Sequence, residues 1–316
     1  MVNCVVCNKS FEGEKQLHAH LKVHKLRMAE YYQKYFPRYD LYSKEIIRFR
    51  NKKQYLSSDF NNKKNLKLWL GSVSEQEAIG YCINFLTTRI NEKKIEYTPC
   101  QVELRSLMTP PVQYYDDLFK GYYDLCKKMG LKNKYQNFNE IISNAEYSKP
   151  EHFVYVDTRE QKPLKFPRNI EIKKLDFGDY SFSSKTGSCN CYIERKSLSD
   201  FIGTMSGGYE RFCKEIERAK EANANLVILV ESKLSSAIHF NHQFKRGSKE
   251  RVFKKVRATP DFIFHNVRKL IQKYPDIQFL FVNGRKEASR VIEKIFTCGC
   301  VYEKIDLQLA YDLKKL

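Results

Sequence analysis

The sequence predicts an α/β fold for the C-terminal half of the chain, preceded by a small cysteine- and histidine-containing unit and a mainly helical region. From about residue 150, short runs of β-branched and aromatic residues alternate with helical patterns. The middle region shows apolar residues at helical spacing instead. We therefore expect four segments, with the bounds 1–25, 26–149, 150–303 and a C-terminal tail over 304–316.

The first segment has the spacing C-x2-C-x12-H-x3-H, with apolar residues at the two expected core positions. Zinc takes four thiolate or imidazole ligands in a tetrahedron, and a unit this small cannot fold without the metal. The pattern resembles the two-cysteine, two-histidine zinc-finger family over its whole length. The resemblance implies a structural Zn²⁺ held by four ligands, which are Cys4, Cys7, His20 and His24.

Fingers of that family read bases from three helix positions, which hold Gly13, Gln16 and Ala19 in this sequence. Of these, Gln16 alone can pair with a base edge. A single finger with one base contact provides little sequence specificity. Two interpretations of the finger stay open, non-specific docking on DNA and a contact with protein.

The middle segment predicts two main helices. The first covers 74–90, because Ser74 and Glu77 form a capping-box pattern. The second begins after Thr109, where two prolines occupy its first turn, and ends at Gly130. An aromatic stripe at helical spacing is more often core than a base-stacking surface, and we interpret this one as core.

The C-terminal segment predicts an α/β sheet covered by helices on its faces. The strand patterns are HFVYVDT, CYIERK, LVILVES and IQFLFVN. The helical patterns between and after them cover 208–222, 261–273 and 286–297.

Charge and cysteine content indicate the class of partner and the compartment. Lys and Arg number 56 against 37 acidic residues, a net charge of +19, which favours nucleic acid over a surface that is merely solubilising. We find neither an apolar run long enough to span a membrane nor a secretion signal. We therefore expect an intracellular protein with no membrane partner, in the cytoplasm of a prokaryotic or virus-infected cell or in a nucleus, with its ten cysteines reduced.

The C-terminal segment also carries a constellation of acids. Asp157 ends the first strand pattern, Asp179 follows a turn, and Glu194 and Lys196 lie two apart on the second strand pattern, so they share one face. Two or three acids and a lysine at a sheet edge can hold a hard divalent cation. Such a cation polarises a phosphodiester and activates water, and the lysine can orient that water or stabilise charge. The alternative is an ion-pair ladder on the surface.

The combined pattern VDTREQ, LDFGDYSF and IERKSLSDF closely resembles the XPF-type nuclease family, a branch of the restriction-endonuclease-like superfamily. The family pattern of G-D, a spacer and E-R-K-x-x-x-D is complete from Gly178 to Asp200. The resemblance covers about residues 150–300 and implies a mixed sheet flanked by helices. It also implies an endonuclease that cuts DNA with Mg²⁺ or Mn²⁺, in DNA repair or recombination.

Residue by residue, the resemblance implies that Asp157, Asp179 and Glu194 are metal ligands. It also implies that Lys196 lies beside the water molecule that attacks the phosphodiester. It implies supporting or phosphate-contacting roles for four further residues, Arg159, Glu160, Arg195 and Asp200.

Two features downstream of this constellation predict contacts with DNA. Gly207 and Gly208 open a helix where a DNA backbone can approach closely, and Arg211 on that helix is a candidate phosphate contact. A basic segment interleaved with Phe244 and Phe253 is a candidate strand-tracking loop. Its cations are Lys245, Arg246, Lys249, Arg251, Lys254, Lys255 and Arg257. In both cases the alternative is an ordinary solvated surface charge.

The resemblance leaves several points open. Many family members carry a paired helix-hairpin-helix module after the nuclease domain, and we expect this chain to lack it, which puts the usual homodimer or partner subunit and the substrate in doubt. Two Cys-x-Cys pairs, at 189–191 and 298–300, either form a second zinc site or are buried thiols. The functional alternatives are a nuclease of branched or flapped DNA, a nuclease of linear or single-stranded DNA in a virus or mobile element, and an inactive DNA-binding scaffold.

Overall fold

The structure, a computed structural model, describes residues 1–37, 74–136, 152–167, 169–184, 190–238, 240, 258–297 and 303–316. The chain folds into two compact units. The first comprises residues 1–81 and 108–110, and the second comprises residues 82–107 and 111–316.

The first unit contains the predicted finger. Two short antiparallel strands are followed by a helix, a 3₁₀ turn and a second helix, namely β1 (Val2–Asn3), β2 (Ser10–Phe11), α1 (Glu14–His20), the turn Leu21–His24 and α2 (Met28–Tyr35). Leu17 and Leu21 pack in one apolar cluster with Tyr31 and Tyr32 of α2. The hydroxyl of Tyr31 also accepts a hydrogen bond of 2.9 Å from the backbone N–H of Val5. The core of this small unit therefore extends beyond residue 25.

The middle region is helical, as predicted. Its helices are α3 (Glu75–Lys93), α4 (Gln101–Ser106), α5 (Val112–Phe119) and α6 (Tyr122–Lys128). The capping box that starts α3 is confirmed, because Ser74 and Glu77 exchange hydrogen bonds of 2.7 and 3.2 Å. The prediction of one continuous helix after Thr109 is wrong. The chain leaves the helical conformation at Lys120, which has a φ of +54°, and restarts after Gly121.

The second unit is built on a mixed six-stranded sheet with the order β4-β3-β5-β6-β7-β8. β5 pairs antiparallel with β3 and β6, and the other neighbours are parallel. The strands are β3 (His152–Asp157), β4 (Ile170–Lys173), β5 (Tyr180–Ser184), β6 (Cys191–Lys196), β7 (Asn225–Val230) and β8 (Ile277–Phe281). The four predicted strands are confirmed, whereas β4 and β5 were not predicted.

Helices cover both faces of this sheet, and alternating strand residues point to the two sides. On one face, Leu226 and Ile228 of β7 pack against α7 (Leu198–Met205), α8 (Tyr209–Glu221), α9 (Leu234–Ala237) and α10 (Pro260–Lys273). On the other face, Val227 and Leu229 pack against α11 (Arg285–Thr297) and α12 (Leu307–Asp312). The predicted α/β class and the three predicted helices are confirmed. No helix in the described part of the chain is both long and apolar enough to cross a membrane.

The C-terminal segment joins the helical region to the sheet. Buried Asp306 caps α12 and also accepts a hydrogen bond of 2.7 Å from the backbone N–H of Gln101. Asp312 forms a salt bridge of 2.7 Å with Arg105. Residues that the sequence suggested as a tail therefore contain a helix whose side chains contribute to the core.

Candidate active site

Asp157, Asp179 and Glu194 approach one another where β3, β5 and β6 lie side by side. The backbone N–H of Asp157 donates to the carbonyl of Asp179 at 2.9 Å, and that of Asp179 donates to the carbonyl of Ile193 at 2.8 Å. The residues next to these acids lie in the core of the α11 face, and they are Val156, Tyr180 and Ile193. By strand alternation, the three carboxylates therefore point to the face that α7, α8 and α10 cover.

Gly178 fixes the position of Asp179. Its φ is +60°, a backbone conformation that side chains other than glycine rarely adopt. A Cβ atom at this position would lie 2.8 Å from the carbonyl oxygen of Ile193. Glycine therefore allows the turn to press against β6 and to present Asp179 beside Glu194.

Asp157 is held by its neighbours. It is 2% exposed, and its carboxylate accepts hydrogen bonds from the guanidinium and backbone of Arg159 and from the backbone N–H of Leu175, at 2.6 to 3.1 Å. Burial alone raises the pKa of this carboxyl, but these hydrogen bonds lower the pKa to about 2. Asp157 thus anchors the turn that precedes Gly178.

Asp179 and Glu194 form a pair of mutually repelling acids. Burial and then the negative charge of Glu194 raise the pKa of Asp179 to about 7, although the backbone N–H of Arg195 donates to its Oδ2 at 2.7 Å. Glu194 Oε1 accepts a hydrogen bond of 2.7 Å from Lys196 Nζ. The group formed by Asp179, Glu194 and Lys196 is therefore mostly buried and has more acidic than basic side chains.

Helix α8 passes over this pair. The Nζ atom of Lys196 lies 5.4 Å from the ring centroid of Phe212. Glu215, one turn further along α8, is partly buried, and its pKa is raised by burial and then by the charge of Glu194. Arg159 lies within electrostatic range of the same acids, since Asp157, Asp179 and Glu194 all raise the pKa of its guanidinium.

The chemistry of these donors fits a hard divalent cation. Carboxylate oxygens are the ligands that Mg²⁺ and Mn²⁺ prefer, and a cation relieves the repulsion between Asp179 and Glu194. Asp157 is less available because its oxygens are engaged by Arg159 and Leu175. Among the described residues, the finger side chains are the one group of three or more His, Cys, Asp or Glu residues close enough to share a metal ion.

The finger ligands are arranged for zinc. The ligand atoms of Cys4, Cys7, His20 and His24 all lie within 4.8 Å of one another. Cys7 Sγ lies 3.2 Å from His20 Nε2, which lies 3.1 Å from His24 Nε2. Tetrahedral ligands at zinc bond lengths are roughly 3.3–3.8 Å apart, so these side chains fit the ion with small adjustments.

Two family models match the chain. The ERCC4 domain matches residues 156–295, and a model described as zinc-finger double-stranded RNA-binding matches residues 2–22. The ERCC4 match therefore covers less than half of the chain. No curated protein matches the chain.

Solved structures of XPF resemble the chain in part. XPF from Aeropyrum pernix in complex with DNA is 24% identical, with a TM-score of 0.33, over 46% of this chain and 62% of that chain. XPF from Aeropyrum pernix is 23% identical, with a TM-score of 0.31, over 45% of this chain and 63% of that chain. The matched part of this chain thus spans less than two thirds of either structure.

Two of the four predicted supporting residues, Glu160 and Arg195, belong to a network on the opposite face of β6. Arg195 is flanked by two carboxylates, Glu160 at 2.8 Å and Glu231 at 3.0 Å. Its side chain is 12% exposed, so it is committed to these partners. Arg285 of α11 completes the network through hydrogen bonds to the carbonyls of Lys162 and Pro163. The network fixes the 160–163 loop against the strand that carries Glu194.

Four predicted residues lie around α7 and α8. Asp200 belongs to the cap of α7, where it accepts a hydrogen bond of 2.7 Å from the Ser197 hydroxyl. A Cβ atom at Gly208 would lie 3.2 Å from Thr204, so this glycine serves packing within the protein, whereas Gly207 faces open space. Arg211 is exposed near the start of α8, as a phosphate contact requires.

Some predictions lie outside the described residues. They concern the basic segment with its seven cations, together with Phe244 and Phe253, and three of the four cysteines of the suggested second zinc site, namely Cys189, Cys298 and Cys300. The fourth cysteine, Cys191, is fully buried in the core of the α11 face.

Sequence reasoning missed Glu215, Glu231 and Arg285. Glu215 lies on α8, Glu231 follows β7, and Arg285 begins α11. All three lie more than 18 residues after Lys196, and no local spacing connects them to the site. For Glu215 a signal did exist, because it follows Phe212 by three residues on a strongly amphipathic helix next to the site.

Proposed function

We propose that this chain is a DNA endonuclease that depends on Mg²⁺ or Mn²⁺. One observation carries the proposal. A mostly buried pair of acids, Asp179 and Glu194, lies beside Lys196 within an ERCC4 domain. Two neighbouring carboxylates repel each other. A binding site for a divalent cation explains why the protein keeps them together.

Asp179 and Glu194 would hold the cation, and Lys196 would act on the reacting water. A bound divalent cation polarises the phosphodiester and lowers the pKa of water at the site. The ammonium group of Lys196 orients that water or stabilises the charge that develops on the phosphoryl oxygens. Burial strengthens both effects, because solvent screens charges less inside the protein.

Asp157 and Arg159 have linked roles in this proposal. Asp157 remains a predicted third ligand, and it can serve only if Arg159 releases one of its oxygens. The Arg159 side chain is 65% exposed, so its guanidinium can turn towards a DNA phosphate. DNA binding would thereby free the carboxylate that completes the ligand set.

DNA is the proposed partner, and branched or flapped DNA is the proposed substrate. The net charge of +19 supports a polyanionic partner. The preference for branches rests on the family resemblance, as does the prediction of a homodimer or partner subunit. Sedimentation of the full chain with and without forked DNA tests the assembly.

The finger is proposed to contact the backbone of a duplex and not its bases. Gln16, the one candidate base reader, already exchanges hydrogen bonds with Glu12, at 3.0 and 3.4 Å. The matching family model carries the description double-stranded RNA-binding, which is consistent with recognition by shape and phosphates. Binding to duplex RNA and duplex DNA of one sequence distinguishes the two ligands.

Cleavage assays test the proposed reaction. Labelled forked, flapped, four-way and linear DNA are incubated with Mg²⁺ or Mn²⁺ and either the wild type or Asp179→Ala. We expect the wild type to cut at least one branched substrate faster than linear DNA. We expect the variant to bind equally well and not to cut.

Other outcomes lead to the alternatives. Equal cutting of linear or single-stranded DNA points to a nuclease without structure specificity. If the wild type binds DNA but cuts no substrate with either metal, the chain is a DNA-binding scaffold and the proposal fails.

A further inference from the structure

Glu215 lies near Glu194 and Lys196. It does not belong to the sequence pattern that identified those two residues. Phe212, Ile216 and Ala219 form the buried stripe that seats α8 on the domain. The ammonium group of Lys196 lies 5.4 Å from the Phe212 ring. Side chains three apart on a helix are neighbours, so Glu215 borders the same side of α8.

The charges that act on Glu215 place its carboxyl within electrostatic range of Glu194 and Lys196. Apart from burial, the largest influence on its pKa is Glu194, which raises it, followed by Lys196, which lowers it. Arg218 and Arg211, its neighbours on α8, act more weakly than Lys196. Glu215 therefore lies within electrostatic range of Glu194 and Lys196 as well as of the arginines of its own helix.

Lys196 needs a second acceptor if Glu194 serves a cation. In this structure Glu194 Oε1 accepts the hydrogen bond from Lys196 Nζ. An oxygen that binds a divalent cation is a weaker acceptor for an ammonium group, because the cation withdraws charge and repels the lysine. Without a second acceptor, the flexible lysine side chain would lose its orientation.

We propose, on the basis of the proposed endonuclease function, that Glu215 is a positioning residue that accepts a hydrogen bond from Lys196 Nζ when Glu194 binds the cation. It keeps the ammonium group aimed at the reacting water. An acceptor oxygen at this position is what matters, and a negative charge is secondary.

Three variants of the full chain test this role. Glu215→Gln keeps an acceptor oxygen, Glu215→Leu removes it, and Glu217→Leu is the matched control. Glu217 lies on the same helix and bonds Lys273 at 3.0 Å, away from the pair. For each variant we measure the single-turnover cleavage rate, the DNA affinity in Ca²⁺ and the Tm.

We expect Glu215→Leu to slow cleavage by about 10- to 100-fold, because a misaligned group costs about that much. Its DNA affinity and Tm should stay near those of the wild type. Glu215→Gln should restore the rate to within about threefold of the wild type, as a hydrogen-bonding role predicts. The control should cleave at the wild-type rate.

A second readout does not depend on cleavage. Acylation of Lys196 is followed by mass spectrometry in Ca²⁺, and we expect faster labelling in Glu215→Leu than in the wild type or Glu215→Gln. The proposal is overturned if Glu215→Leu shows the wild-type rates of Lys196 labelling and of cleavage. It is also overturned if Glu215→Leu and Glu215→Gln lose the same amount of cleavage activity. If the wild type cuts no DNA but the labelling difference is present, the endonuclease function fails while the contact stands.

Discussion

At the scale of single residues, Asp179 combines a fixed position with an unusual ionisation. Gly178 presses the turn against β6, and Glu194 lies on the strand beside it. The protein therefore stores repulsion between two acids at this point. Two measurable consequences follow, one for the pH dependence of stability and one for the glycine.

The repulsion should make the protein less stable as the pH rises. Asp179 has a pKa of about 7 in the folded chain, and an unfolded Asp has a pKa of about 3.9. Between these values the folded state holds a proton that the unfolded state has lost, so the free energy of unfolding falls as pH rises from about 4 to about 7. A difference of about three pKa units corresponds to a contribution on the order of 4 kcal/mol over this range.

Urea unfolding at pH 5 and pH 8 measures the effect, in buffer without Mg²⁺ or Mn²⁺ but with zinc retained. Asp179→Asn should lose less stability than the wild type over this range. Asp176→Asn, an exposed acid in the same turn, is the control and should behave as the wild type. A parallel decline in all three proteins would mean that Asp179 ionises normally.

Gly178→Ala should damage both stability and activity. The new Cβ would meet the Ile193 carbonyl in a backbone conformation with positive φ, at a cost of about 2–3 kcal/mol. The displaced Asp179 should also slow cleavage by about 10-fold or more. Gly207→Ala is the matched control, because nothing lies within 4 Å of its Cβ position. Denaturant unfolding measures the loss of stability, and single-turnover cleavage measures the loss of activity. If Gly178→Ala and Gly207→Ala are equally stable, the close contact at Gly178 does not constrain the turn.

At the scale of elements, the sequence predicted best the strands that are buried on both faces. β7 and β8 are buried along almost their whole length, so they appear as nearly continuous apolar runs. β4 at the sheet edge has exposed isoleucines and no alternation of burial, and β5 is short and follows directly on the Gly178 turn. Neither strand has a pattern that separates it from loop.

The break between α5 and α6 was missed for a different reason. The apolar spacing continues through Lys120 and Gly121, so periodicity alone predicts one helix. Asp116 stabilises the break, since its carboxylate accepts a hydrogen bond of 2.7 Å from the backbone N–H of Tyr122. A local hydrogen bond therefore outweighed the helical pattern.

The cap of α7 gives a prediction about Asp200. The Ser197 hydroxyl accepts from the backbone N–H of Asp200 at 3.2 Å and donates to its carboxylate. Asp200→Ala should therefore lower the free energy of unfolding by about 0.5–1 kcal/mol and leave DNA affinity unchanged. Arg211→Ala should show the reverse pattern, with weaker DNA binding and normal stability. Chemical denaturation and fluorescence anisotropy at fixed salt measure both, and a loss of DNA affinity in Asp200→Ala would favour a role at the DNA.

At the scale of the whole molecule, the sequence indicated the carboxylates but not what holds them. Asp179, Glu194 and Lys196 lie within 18 residues, so a local motif identifies them. Arg195 depends on Glu231 of the chain after β7, and buried Asp306 connects the C-terminal segment to Gln101. These contacts span 36 to 205 residues and arise only when the sheet and its helices assemble.

The division into two units predicts that the two metals act separately. Zinc would stabilise the first unit, whose ligands and apolar cluster lie within residues 1–35 and Met108. The candidate cation ligands all belong to the second unit. His24→Ala should therefore abolish zinc binding and the folding of the finger, because structural zinc supplies most of the folding free energy of so small a unit.

The same variant should keep the single-turnover cleavage rate at saturating DNA within about twofold, while its DNA affinity falls if the finger contacts the backbone. Zinc content by atomic spectroscopy, limited proteolysis of the N-terminal segment and cleavage across a range of DNA concentrations measure the three effects. His18→Ala, a histidine of the finger outside the ligand set, is the control and should retain zinc. If His24→Ala loses the cleavage rate at saturation as well, the finger contributes to the reaction itself and the two metal sites are not independent.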